Sequence, residues 1–187
     1  MSDLTFSQSE RRSFLVPGII VAVLVVVAFA LIYFFTPHRI ADLSVTRTAV
    51  LPTHTAFKSS TKVVGLGEQA QDDLYVLTTV RIDDKLRLPL IVNDITGTLT
   101  SADGTETDTS AIEKLDLPNL YVTVPALVPL SSAPLLRETE IAPGGHAEGM
   151  VILHFPVDQA TWDQRKSATV TINLYHQGEF TVTIPKP

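Results

Sequence analysis

Asp73–Ile82 reads DLYVLTTVRI. It is rich in β-branched and aromatic residues, and Leu74, Val76, Thr78 and Val80 fall on one face of an extended chain. This period of two predicts a half-buried strand. The same period recurs outward in both directions: Ala41–Leu51 (ADLSVTRTAVL), Leu86–Thr100 (LRLPLIVNDITGTLT), Ala147–Phe155 (AEGMVILHF), Ser167–Tyr175 (SATVTINLY) and Glu179–Ile184 (EFTVTI). Pro89 and Asn93-Asp94 interrupt the second of these, which reads as a bent strand or a strand pair. Turns fall at Asp83-Asp84-Lys85, at Asp103-Gly104 between LTSA and TETDTSAI, and at His176-Gln177-Gly178. One short helix is expected over Gln159–Arg165, capped by Asp158 and closed by Arg165-Lys166, which complement its dipole. It carries the single tryptophan, Trp162, expected as a lid on one end of the core. Short strands with turns every 8–12 residues or so predict an all-β, antiparallel β-sandwich. The alternation also gives each sheet one buried and one wet face.

Before these strands stands a different pattern. Phe14–Phe35, FLVPGIIVAVLVVVAFALIYFF, carries no charge. A helix of that length spans about 33 Å, enough for a hydrocarbon core of about 30 Å. Pro17 and Gly18 lie in its first turn, where a missing N–H is tolerated. Ala28-Phe29-Ala30 matches a signal-peptide cleavage pattern, but the run continues through Leu31 to Phe35, which favours a retained anchor. Arg11 and Arg12 before the run, and Tyr33, Phe34 and Phe35 at its end, are the expected membrane-interface residues. Arg39 and Arg47 follow, so the charge asymmetry is small; the adjacent arginines of a short tail favour an N-inside orientation. The expected organisation is a cytoplasmic tail over residues 1–13, a transmembrane helix over 14–36 and an extracytoplasmic domain over 37–187 at a bacterial cytoplasmic membrane. Gly18, Ala22, Ala28 and Ala30 do not form a G-x-x-x-G dimer motif.

From Ile40 onward the chain has 11 Lys and Arg against 18 Asp and Glu. Such a surface repels phosphate backbones, so no nucleic-acid partner is expected. There is no cysteine, hence no disulfide, no thiolate nucleophile and no cysteine-ligated cluster.

Glu140-Ile-Ala-Pro-Gly-Gly145, then Gly149–Val157 (GMVILHFPV), then a helical turn and two terminal strands form a recognisable ending. It resembles that of immunoglobulin-like domains on bacterial membrane-anchored proteins and lipoproteins. Asp73–Val76 with Thr78–Ile82 is similar to their early strand, and Asp103-Gly104 to their central hairpin. Asp83 and Asp84 stand where those domains often have an asparagine. The resemblance implies an immunoglobulin-like fold and carries over no functional residue.

Leu117–Leu136, LPNLYVTVPALVPLSSAPLL, has no charge. Its prolines, Pro118, Pro125, Pro129 and Pro134, argue against a helix and against a central strand, so it is expected to be a long irregular excursion. It either covers an open end of the sandwich or offers a partner surface made of Leu120, Tyr121, Val122, Leu127, Val128, Leu130, Leu135 and Leu136, together with Trp162.

Catalytic signatures are missing. There is no G-x-S-x-G and no P-loop, and Gly65-Leu66-Gly67 is too short for a dinucleotide fingerprint. His146, His154 and His176 lack a recognised ligand spacing. Asp72-Asp73, Asp83-Asp84 and the series Asp103, Glu106, Asp108 lack the closing glutamate of a calcium loop. The sequence therefore points to no catalytic residue, no metal and no cofactor. The function expected is a non-enzymatic accessory or structural subunit, held in the bilayer through residues 14–35, whose β-sandwich packs on a larger respiratory, photosynthetic or envelope complex of integral membrane proteins. The competing expectation is a module that binds a small ligand, a metal or an envelope polymer.

Overall fold

The computed structural model describes residues 15–35, 39–57 and 69–186. The chain divides into two units, Met1–His38 and Arg39–Pro187. In the first, α1 covers Leu15–Phe35. It is long and apolar enough to cross a membrane by length and composition, and none of Pro17–Phe34 is buried. Arg11, Arg12 and Gly65-Leu66-Gly67 lie outside the described residues, as does the side chain of Phe35.

The second unit holds two antiparallel sheets. Its strands are β1 (Ala41–Phe57), β2 (Gln69–Asp84), β3 (Leu90–Thr100), β4 (Glu106–Ser110), β5 (Glu140–Ile141), β6 (His146–Phe155), β7 (Ser167–Leu174) and β8 (Gly178–Thr183). One sheet runs β1-β2-β6; the other runs β4-β3-β7-β8, with β5 on β3. Leu74, Val76, Thr78 and Val80 are all fully buried, as their shared face predicts. The three apolar ones meet Val151, Leu153 and Phe155 of β6 and, from the other sheet, Val92, Ile95, Leu99, Val170, Ile172 and Leu174 in a single core. The two sheets are thus joined across one apolar layer, in the manner of a β-sandwich.

Several local readings of the sequence recur as geometry. Gly104 has φ 95° in the β3–β4 hairpin. Ala142-Pro143-Gly144-Gly145 closes with a bond from the Gly145 N–H to the Ala142 carbonyl at 2.8 Å, and Gly144 has φ 67°. Proline then glycine at the central positions is the chemistry of a type II turn, whose third residue needs positive φ. Asn93-Asp94 marks a register shift in β3 between Val92 and Asp94 rather than a strand end.

Two expectations fail. The segment from Leu117 is helical: α2 covers Leu117–Thr123, and a 3₁₀ helix covers Pro125–Leu130. Pro118 and Pro125 each sit in a first turn, where the N–H they lack would have had no helical partner. They start helices here rather than forbidding them. The second failure concerns the β1-β2-β6 sheet, whose outer face is dry around Leu77, Met150 and Ile152 and wet toward Arg81 and Glu148. Leu77, Met150 and Ile152 on that face form a second buried cluster with Leu117 and Leu127, closed by Ala49, Leu51, Tyr75, Leu120, Tyr121 and Leu130. The helices cover the face of a sheet, not the end of the sandwich.

The chain reaches this position by stepping between sheets. The Ala111 N–H bonds to Ile95 in one sheet, and the Ile112 N–H to Ile152 in the other, both at 2.9 Å. On its return it bonds β6 again: the Leu135 N–H to Met150 at 2.9 Å, and the Met150 N–H to Ala133 at 2.8 Å. Gly149 makes this return possible, because a Cβ there would lie 2.5 Å from the Leu135 backbone nitrogen. At the opposite edge, β1 carries Pro52, which an edge strand tolerates. The β1–β2 ladder continues to Phe57↔Gln69, whereas β6 pairs β2 only as far as Leu74↔Phe155.

Candidate functional site

The uncharged segment splits its side chains between core and solvent. Leu127 is fully buried, Leu135 nearly so, and Leu120, Tyr121, Leu130 and Leu136 are half-buried. Val122 and Val128 project outward, 81% and 55% exposed, and Leu115 just before α2 is 82% exposed. Of the expected partner surface, only Val122 and Val128 are therefore strongly presented, and Leu115 joins them. Sequence reasoning missed Leu115 because it lies between Lys114 and Asp116, outside the uncharged run. Trp162 is 2% exposed and packs beside Phe155, with ring centroids 6.3 Å apart. It belongs to the core, as a lid would. Tyr33 and Phe34 of α1 are both exposed.

Next to Leu115 runs a groove of about 480 Å³ between residues 111–115 and 135–138. A Glu113–Arg137 ion pair at 2.9 Å stands on it, and Arg137 Nε also donates to the Asn93 carbonyl at 2.8 Å. The Glu113 carboxylate holds the guanidinium in its charged form.

The histidines do not converge. His154 Nε2 meets Asp73 Oδ1 at 2.7 Å, and its ring stacks on Tyr75 at 4.9 Å. Burial, then the charge of Asp73, pushes the Tyr75 phenol up. His54 Nδ1 meets Asp72 Oδ1, also at 2.7 Å. Asp72 and Asp73 are neighbours in β2, so alternation sends them to opposite faces of the sheet. His146 and His176 are exposed. Among the described residues, no three His, Asp or Glu side chains gather as a metal would require.

Four of the other acidic residues, Asp83, Asp84, Asp103 and Asp108, are occupied locally. Asp108 accepts from Thr98 across the β3–β4 ladder at 2.7 Å, and Asp103 accepts from the Thr105 N–H and hydroxyl, both at 2.9 Å. Asp83 is paired with Arg81 at 2.8 Å. Asp84 is buried and accepts from the Leu86 N–H at 2.7 Å and the Gly144 N–H at 2.9 Å, tying the end of β2 to the Pro-Gly turn.

A second cleft, of about 430 Å³, opens between β1 and the short helix α3 (Gln159–Gln164). Asp158 caps α3 as expected, accepting from the Thr161 N–H at 2.8 Å. The helix ends at Arg165, which is 1% exposed and has no carboxylate partner among the described residues. Its guanidinium lies 3.9 Å over the Trp162 ring; Nη1 donates to the Trp162 carbonyl at 2.8 Å and Nη2 to the Pro185 carbonyl at 3.0 Å. Burial lowers its pKa, opposed in part by Asp163. The sequence reading placed Arg165 as a dipole-complementing surface charge; the segment after β8, at Pro185, folds over it instead.

The sequence matches no protein-family model and no curated protein. Among solved structures it is similar to a functionally unknown protein from Listeria monocytogenes EGD-e, at 8% identity and TM-score 0.44, over 81% of each chain. It is also similar to the yjhA protein from Bacillus subtilis, at 10% identity and TM-score 0.42, over 78% of this chain and 92% of that one.

Proposed function

We propose that this chain is a non-enzymatic, membrane-anchored accessory subunit whose extracytoplasmic domain packs on a larger integral membrane complex. The observation that carries the reading is the cover of the β1-β2-β6 sheet. A segment without charge from Leu117 to Leu136 buries its inner side chains and still turns Val122 and Val128 to solvent, with Leu115 exposed just before it in the chain. Large exposed side chains grouped on one short segment favour a protein interface.

The reading includes an immunoglobulin-like domain. With β1, β2 and β6 taken as strands A, B and E, and β4, β3, β7 and β8 as C′, C, F and G, the order A-B-E opposite C′-C-F-G follows the immunoglobulin scheme without its D strand. The reading also includes α1 as a retained anchor of a bacterial cytoplasmic membrane with the N-terminus inside, supported by its length and its lack of charge.

Extraction in a gentle non-ionic detergent followed by native sizing tests the proposal. A benzophenone amino acid at position 122 should crosslink to a membrane protein, and the Val122→Asp, Val128→Asp double variant should run as a free monomer. A strictly monomeric profile for the unaltered chain overturns it.

A further inference from the structure

Cations in this domain are outnumbered by acids, and several are already committed. Arg39 and Lys85 pair with Asp42, Arg81 with Asp83, and Arg137 with Glu113. Arg47, Arg165 and Lys186 have no ion-pair partner among the described residues, and all three line the cleft between β1 and α3. Thr48 and Gln159 add polar groups to its wall, and among the described residues Asp163 is the single carboxylate on it.

Arg165 is the unusual member. A buried charge normally has a counter-ion, because desolvation is costly without one. Among the described residues Arg165 has only two carbonyls, a ring face and the more distant charge of Asp163, and its buried Nε–H has no acceptor. Both an unmet charge and an unmet donor therefore stand beside an open cleft. Low-dielectric walls concentrate such a field toward the opening. The β1 strand is irregular at this point: its register with β2 slips between Val45 and Arg47. Bulges of this kind re-aim side chains and are common beside binding sites.

We propose that this cleft binds an anionic group, a carboxylate or a phosphate, with Arg47 and Lys186 as the exposed donors and Arg165 as the fixed positive charge behind them. The net negative charge of the domain does not exclude this, since exposed charges beyond a Debye length of about 8 Å are screened at physiological salt. The cleft is large enough for the anionic end of an organic molecule, so the source is either a small free acid or a charged unit of a polymer.

The single tryptophan lies on the wall of this cleft and reports on it directly. Full-length protein in non-ionic detergent is titrated with inorganic phosphate, acetate and poly-glutamate at constant ionic strength, following Trp162 emission and the thermal midpoint. At least one of the three should give a saturable change. The Arg47→Gln, Lys186→Gln double variant should weaken it by about tenfold or more, as expected for loss of charge-assisted contacts. Arg87→Gln, exposed and away from the cleft, should leave it unchanged. Response to phosphate or acetate alone assigns a small acid; response to poly-glutamate alone assigns a polymer. No saturable change in either readout with all three anions overturns the proposal, as does a response that the double variant retains in full.

Discussion

Asp84 shows how much one side chain can fix. Its two oxygens answer two backbone N–H groups from separate loops, at Leu86 and Gly144. Asp84→Ala leaves both donors without their partner in a buried place, and should cost about 2–4 kcal/mol in urea unfolding. Asp84→Asn keeps one accepting oxygen and should cost about half as much. Three other aspartates make stability depend on acid. Arg81 holds Asp83 below the ordinary carboxylate range; the Thr105 backbone and hydroxyl do so for Asp103, and the Thr161 hydroxyl and backbone for Asp158. A carboxylate with a depressed folded pKa contributes stability above its unfolded value and loses it as pH falls through the folded one. The unfolded chain binds more protons in that window. The urea midpoint should therefore hold steady down to about pH 5 and fall below about pH 4. Asp158→Asn preserves a good cap and removes the charge, so it should flatten part of that fall.

At the scale of elements, the cover of the β1-β2-β6 sheet separates stability from recognition. Leu127→Ala empties a fully buried position and should cost about 2–4 kcal/mol. Val122→Ala, on the same cover but exposed, should stay within about 0.5 kcal/mol in the same assay. The strands themselves were legible, because alternation between apolar and polar residues is a direct image of a half-buried sheet. The alternation of the first strand is legible only over Ala41–Leu51; β1 runs on through Pro52 to Phe57, because an edge strand does not need the missing N–H. The two helices over 117–130 were hidden for a related reason: Pro118 and Pro125 fall in first turns, where proline is tolerated, and Pro129 lies within a 3₁₀ helix of only six residues. A signal for their position did exist. Met150-Val151-Ile152-Leu153 is an unbroken apolar run, and all four residues are buried. A strand that is dry on both faces must have something packed on each. Arg165 was illegible: which charged side chain is buried depends on where the segment after β8 lies, and that is a tertiary fact.

The whole molecule joins a helix suited to lipid with a domain that carries its own core. Residues 39–187 alone should be soluble and should unfold in one cooperative transition monitored by Trp162 fluorescence. Because the chain has no cysteine, orientation can be read without background. Ala102→Cys, in the exposed β3–β4 turn, should react with a membrane-impermeant maleimide in intact spheroplasts. Reaction only after permeabilisation would reverse the proposed orientation.

The β1–β2 ladder runs past the last β6 pair by five further pairs, from Thr53↔Asp73 to Phe57↔Gln69. A two-stranded ribbon is only marginally stable in water. Amide hydrogen exchange should therefore be graded along a single hairpin: slow, at the global unfolding limit, from Leu74 to Ile82, and fast beyond Asp73, where opening needs only the ribbon to part. Whatever this ribbon contributes, it can melt and re-form while the core below it stays intact.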